Sequence, residues 1–178
     1  MIGFDIVCLS SSTFSSEERM TRYAEKILTP VELNKWKTDG KNQVNLWSYW
    51  ALKESAYKIE SRQTGLRRIC PKRFIVLPHA DNSCHITSPI QRYFGRIQRT
   101  PSHLFAISGP TPQCLTETEI SVFPLSSSDS AKQSAEVRDR LRKEGHCFGE
   151  NQQSEHTFLS ISHHGLWGGY ALYQQPVS

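Results

Sequence analysis

Trp50-Ala51-Leu52-Lys53-Glu54-Ser55-Ala56-Tyr57-Lys58 decides how the rest of this chain is read. The stretch has no proline or glycine and lies within a run from about Val44 to Ser61, where Leu46, Trp47, Trp50, Ala51 and Tyr57 recur at helical spacing. It predicts one long helix, closed at Thr64-Gly65. Trp50, Glu54 and Lys58 stand at i, i+4 and i+8 and so share a face, with Lys53 beside Glu54. Taken alone, a Glu followed four residues later by a Lys is a common exposed pair contributing roughly 0.3–0.5 kcal/mol. Its meaning depends on what the fold brings to it.

Toward the N-terminus, Ile2, Phe4 and Ile6 alternate with Gly3, Asp5 and Val7, the period of a short strand with Asp5 on the face opposite the three large residues. Ser15-Ser16-Glu17-Glu18 starts a helix running to Leu28. Thr29-Pro30-Val31-Glu32 reads as a capping box that opens a second, shorter helix ending near Asp39-Gly40.

Beyond the long helix, strands are expected over Arg73 to Pro78, Cys84 to Thr87, His103 to Ser108 and Glu119 to Leu125, forming an antiparallel sheet. A surface helix over Ser130 to Lys143 has a thin stripe of Ala131, Ala135 and Leu141. Glu150 to Glu155 reads as a polar, mobile stretch. Two last strands, Thr157 to Ser162 and Trp167 to Tyr173, flank a turn at His163-His164-Gly165. The class is α+β, an antiparallel sheet packed against a long helix.

The chain's 178 residues, at ~150 per domain, argue for a single domain over 1–178, with an insertion around 77–156. A hydrophobic fraction of 37% supports a folded core. No apolar run approaches the roughly 18 residues of a membrane span, and Asp5 stands where a signal peptide is basic and then apolar. A net charge of +4 is too mild for a nucleic-acid binder and suits anionic ligands. Five cysteines without a C-x-x-C pair indicate neither a disulfide framework nor a zinc ribbon, which fits a reducing cytoplasm. The tract from His79 through Cys84-His85 is at most half a metal site.

Should Asp5 and Glu54 meet in space, two carboxylates from different elements suit magnesium, which keeps several waters and takes further ligands from substrate phosphates. Ser160-Ile161-Ser162-His163-His164-Gly165 offers hydroxyls, imidazoles and backbone N–H groups for another phosphate.

Four segments in order carry a resemblance. Gly3-Phe4-Asp5-Ile6-Val7, Leu28-Thr29-Pro30-Val31-Glu32, Trp50 to Lys58 and Ser160-Ile161-Ser162-His163 are similar to the G-x-D-I-V, F-T-x-x-E, W-x-x-K-E-x-x-x-K and S-x-S-H motifs of the 4'-phosphopantetheinyl transferase superfamily. The single-module type, represented by holo-acyl-carrier-protein synthase, is the nearer pattern. The resemblance covers about Met1 to Val76 and Thr157 to Tyr173.

The resemblance implies transfer of the phosphopantetheine arm of coenzyme A to a serine of an apo acyl carrier protein, with release of 3',5'-ADP. Asp5 and Glu54 would bind Mg2+, Glu54 would serve as general base, and Lys58 would stabilise the pyrophosphate and protonate the leaving group. Lys53, Thr64 and Gly65 would lie along the cofactor, and Ser162 with His163 would meet the 3'-phosphate or ribose. Cys8 stands where many single-module members have glutamate, so a water replaces a third carboxylate. Tyr49 stands near an expected arginine, and Lys35, Lys37, Lys41, Arg67 and Arg68 are candidate substitutes. Because the half-module occurs once, a homotrimer is expected to complete the cleft. In the alternative, residues 77–156 cover the cleft of a monomer, with Arg92, Arg96 and Arg99 as contacts. Two other functions compete: a catalytically silent carrier-binding module of the same fold, and a nucleotide-binding protein with another anionic substrate.

Overall fold

In the computed structural model, which describes residues 1–65, 67–79, 81–146, 153–154 and 156–175, the first strand, β1 (Gly3–Cys8), lies along the long helix. A Cβ on Gly3 would stand 1.9 Å from the carbonyl oxygen of Ser55, so only glycine allows this approach. Between strand and helix come α1 (Glu17–Ile27) and α2 (Pro30–Thr38). The capping box at α2 forms as the sequence predicts: Thr29 accepts from Glu32 N–H, and the Glu32 carboxylate accepts from Thr29 N–H at 2.7 Å. The long helix α3 (Gln43–Thr64) ends at Gly65, whose φ of 75° is left-handed.

A 3₁₀ turn at Pro71–Arg73 leads to β2 (Ile75–Pro78), β3 (Ser83–Thr87), β4 (Arg92–Arg99) and β5 (His103–Gly109). These four and β1 form one antiparallel sheet, in the order β1-β5-β4-β3-β2. After α4 (Pro112–Thr116) come β6 (Glu119–Pro124), α5 (Ser130–Lys143), β7 (Gln153–Ser154), β8 (Thr157–His164) and β9 (Trp167–Gln174). The second sheet runs β6-β9-β8-β7. The α+β class stands, but the single expected sheet is two. The strand β4 went unread because Gly95 interrupts its inward row of Tyr93 and Ile97; a Cβ there would come within 2.6 Å of Cys84 Sγ. Glu150 to Glu155 lies outside the described residues except for β7.

Alternation sorts the core. Val7, Val76, Ile86, Tyr93, Ile97 and Leu104 pack under α3 against Leu46, Leu52, Ala56 and Ile59, each fully buried large residue being worth roughly 1.5–3 kcal/mol. Ile2, Phe4 and Ile6 face the other way, with Phe105 and Ile107, onto the second sheet. Helix α5 seals that sheet with Val137 and Leu141 on Leu159, Tyr170 and Leu172. The expected stripe of α5 is therefore corrected: Ala131 and Ala135 are exposed, and the inward row is Gln133, Val137 and Leu141.

The two sheets meet through side chains. Strand β1 is an edge strand, and its outward N–H groups need partners. Phe4 N donates to Ser160 Oγ (3.0 Å), Ile6 N to Ser162 Oγ (3.3 Å) and Cys8 N to His164 Nδ1 (3.0 Å). Alternate residues of β8 thus cap alternate residues of β1. This corrects one expectation, since His163 and His164 belong to β8 rather than to the turn; His164 is a half-buried structural acceptor.

Candidate active site

Strand alternation turns Asp5 away from the inter-sheet core and toward α3, where the i, i+4 spacing presents Glu54 and Lys58. Lys58 Nζ donates to Asp5 Oδ1 at 2.9 Å and to the Phe4 carbonyl at 2.8 Å. From β8, Ser162 Oγ donates to the same Asp5 oxygen at 2.9 Å. Asp5, Glu54, Lys58, Ser162 and His163 line one open pocket of about 360 Å³, together with Trp47, Trp50 and Ser134.

Burial, and then the nearby charge of Asp5, push the Glu54 carboxyl up to about 7, against the opposing pull of Lys58. Among the described residues Glu54 has no hydrogen-bond partner. It is a carboxyl poised near neutrality, with both oxygens available. His163 is held below the usual imidazole range by burial, with Lys58 and His164 adding to the effect. Its Nε2 lies 2.8 Å from Ser134 Oγ of α5. Helix α5 is fixed over this corner by buried Gln133, whose amide donates to the carbonyls of Ser127 and Gly165.

An aromatic wall stands behind the pocket. Phe14 stacks on Trp47 at 5.3 Å, and Tyr23 packs against Trp47 and Trp50. Burial raises the Tyr23 phenol, and the charges of Glu54 and Asp5 raise it further. The sequence spacing put Trp50 on the face of Glu54 and Lys58, as found, and gave Trp47 no part in the site. It missed Ser134 altogether, since nothing in a polar helix marks one serine as facing a distant strand.

Not every expected residue is here. Lys53 is fully buried on another side of α3, where Nζ donates to Glu32 Oε2 (2.6 Å), the Ile27 carbonyl (2.9 Å) and the Pro71 carbonyl (3.2 Å). Glu32 Oε1 in turn accepts from Val76 N–H at 2.7 Å. Lys53 ties α1, α2 and α3 together and cannot reach a phosphate in the pocket. Ser162 accepts from Ile6 N–H and gives its one proton to Asp5, so it has none left for a phosphate. Thr64 donates to the Glu60 carbonyl in the last turn of α3, and neither it nor Gly65 lines the pocket.

Lys35 and Lys37 pair with Asp39 and Glu25, and Lys41 with Glu17; these lysines, Arg67 and Arg68 are all outside the pocket lining. Arg92, Arg96 and Arg99 lie on β4, also outside it. His79 Nε2 and His85 Nδ1 are 3.4 Å apart, and among the described residues no group of three or more His, Cys, Asp or Glu is placed to hold a metal ion. The described cysteines are free. No described helix is long and apolar enough to cross a membrane.

Residues 1–119 match the 4'-phosphopantetheinyl transferase superfamily. No curated protein and no solved structure matches the chain.

Proposed function

Because this chain belongs to the 4'-phosphopantetheinyl transferase superfamily and is a transferase of the phosphopantetheinyl type, we propose that its pocket moves the phosphopantetheine arm of coenzyme A to a serine of an apo acyl carrier protein. The observation that carries this reading is the meeting of Asp5 from β1, Glu54 and Lys58 from α3 and His163 from β8 around one pocket. We read residues 1–178 as one domain acting in a reducing cytoplasm.

The donor set fits magnesium. Two carboxylates are what this ion takes when waters and substrate phosphates complete its shell. Asp5 offers the oxygen that Lys58 and Ser162 leave free, and Glu54 offers two unpaired oxygens. Bound there, the ion would offset negative charge on the pyrophosphate.

The residues of the chain divide the remaining work. Glu54, or a water it orients, takes the proton of the carrier serine as its oxygen attacks the β-phosphorus. The bond from phosphorus to 3',5'-ADP breaks as the new one forms. Lys58 leaves Asp5 for the phosphate oxygens, offsets charge that grows in the transition state and gives a proton to the departing 3',5'-ADP. His163, held by Ser134, receives the 3'-phosphate or ribose.

The test is intact-mass measurement of apo carrier proteins, one from fatty-acid synthesis and one from a specialised pathway, incubated with coenzyme A, magnesium and this protein. A gain of one phosphopantetheine arm is expected. No gain on either carrier would leave a silent carrier-binding module.

A further inference from the structure

On another side of α3, away from the pocket, a second cavity of about 200 Å³ lies between α2, α3 and the sheet. It shares no lining residue with the first. Its volume is well above that of one water and below the roughly 300–1,000 Å³ of a drug-sized site, so it suits a small ligand. Trp36, Leu52, Val76 and Ile97 give it an apolar interior.

Two polar side chains on its lining keep hydrogen-bonding capacity for a ligand. Tyr49 is 9% exposed, lines the cavity, and has no hydrogen-bond partner for its hydroxyl among the described residues. At the rim, Arg99 Nε donates to Ser48 Oγ (3.1 Å) and Nη1 to Asn82 Oδ1 (2.9 Å), both neutral. Buried Ser48 gives its own proton to the Val44 carbonyl at 2.7 Å, so its hydroxyl oxygen is set to accept and holds the guanidinium in place. Arg99 makes no ion pair among the described residues and keeps unused N–H donors. The other charges on the lining, Lys35 and Asp39, neutralise each other at 3.0 Å.

We propose that this cavity is a second binding site, one that takes a small organic carboxylate with an apolar body. The carboxylate meets the Arg99 fork and the Tyr49 hydroxyl, and the body fills the space beside Trp36, Leu52 and Ile97. One uncompensated cation matches one carboxylate, whereas a phosphate dianion would gain nothing from the apolar walls. The site stands independently of the transferase reading.

The experiment is a methyl-resolved NMR titration of the full chain with benzoate and hexanoate, with benzamide and inorganic phosphate as controls. Saturable shifts are expected at Leu52, Val76 and Ile97 with millimolar or tighter carboxylate affinity, and benzamide should bind about tenfold more weakly or worse. The substitution Arg99→Gln, at an exposed side chain outside the active site, should erase the preference for carboxylate, and Tyr49→Phe should weaken binding several-fold. The proposal is overturned by any of these results: no saturable shift, equal binding of benzamide, the same shifts with phosphate alone, shifts confined to Ile6 and Ile161, or unchanged affinity in Arg99→Gln.

Discussion

Ser162 and Asp5 share one proton's worth of geometry: the Ser162 hydroxyl accepts from Ile6 N–H, so its only proton points to Asp5 Oδ1, 2.9 Å away. The carboxylate proposed to bind metal is thereby aimed by the same serine that joins the two sheets. Ser162→Ala should cost about 1–3 kcal/mol of stability, since it leaves a buried N–H unpaired. It should also lower kcat more than it raises KM for coenzyme A. Urea denaturation with parallel kinetics checks both, and an unchanged midpoint with unchanged kcat would remove the serine's double role.

Glu54 sets a pH dependence of stability. Its folded-state value, about 7, lies above the ordinary carboxylate value, so the folded chain holds the proton more tightly than the unfolded one. The stability from this group is fully present below the ordinary carboxylate range and is lost as pH rises through about 7. Without divalent cations, Glu54→Gln should melt above wild type at about pH 8 and level with it at about pH 4. The same variant should lose transfer, and magnesium should narrow the melting gap at the higher pH. A variant that melts below wild type at both values contradicts the assignment.

The two lysines of the helix motif should separate cleanly. Lys53→Met strands the buried Glu32 carboxylate and should cost about 3–5 kcal/mol, with KM for coenzyme A unchanged in whatever fraction stays folded. Glu32→Gln should also be costly, because it leaves the Lys53 ammonium without its counter-charge and turns an NH2 toward one of the two backbone N–H groups the carboxylate accepts from. A rise in KM with unaltered stability in Lys53→Met would return Lys53 to the substrate.

Lys58→Ala should lower kcat far more than it weakens coenzyme A binding, while His163→Ala should mainly raise KM for coenzyme A. Lys58 is assigned to charge that grows in the transition state, His163 to a phosphate remote from the reacting atoms. Steady-state kinetics with isothermal titration of coenzyme A distinguishes them, and equal effects on both parameters in both variants would erase the assignment.

For assembly, a closed ring of three is the proposal, each subunit lending a wall to its neighbour's cleft. Light scattering at assay concentration should report a trimer. A fully active monomer would hand that wall to α5 of the same chain, which already brings Ser134 to His163.

What the sequence made legible was local chemistry with a distinctive spacing. The Thr29 to Glu32 capping box, the left-handed stop at Gly65 and the outward turn of Asp5 each follow from a few neighbouring residues. What it hid was tertiary choice. Lys53 and Lys58 read alike in a helix of that composition, and only the fold puts Glu32 over one and Asp5 over the other. The inward row of α5 includes Gln133, a polar residue buried because two carbonyls wait for its amide. Two sheets look like one in sequence because the joint between them is made by serine and histidine side chains rather than by a backbone ladder.

That joint has a consequence for how the protein is made. Phe4, Ile6 and Cys8 find their acceptors 156 positions later in the chain, so the first strand to leave the ribosome is among the last to be completed. Contacts this distant in sequence slow folding, and until residues 160–164 arrive the edge of β1 is an open template for another chain. The Ser162 hydroxyl and the His163 imidazole reach the pocket only as the last hairpin docks. A nascent or truncated chain therefore holds Asp5 and Glu54 without the serine that aims the first of them, and competence for transfer arrives in one late step.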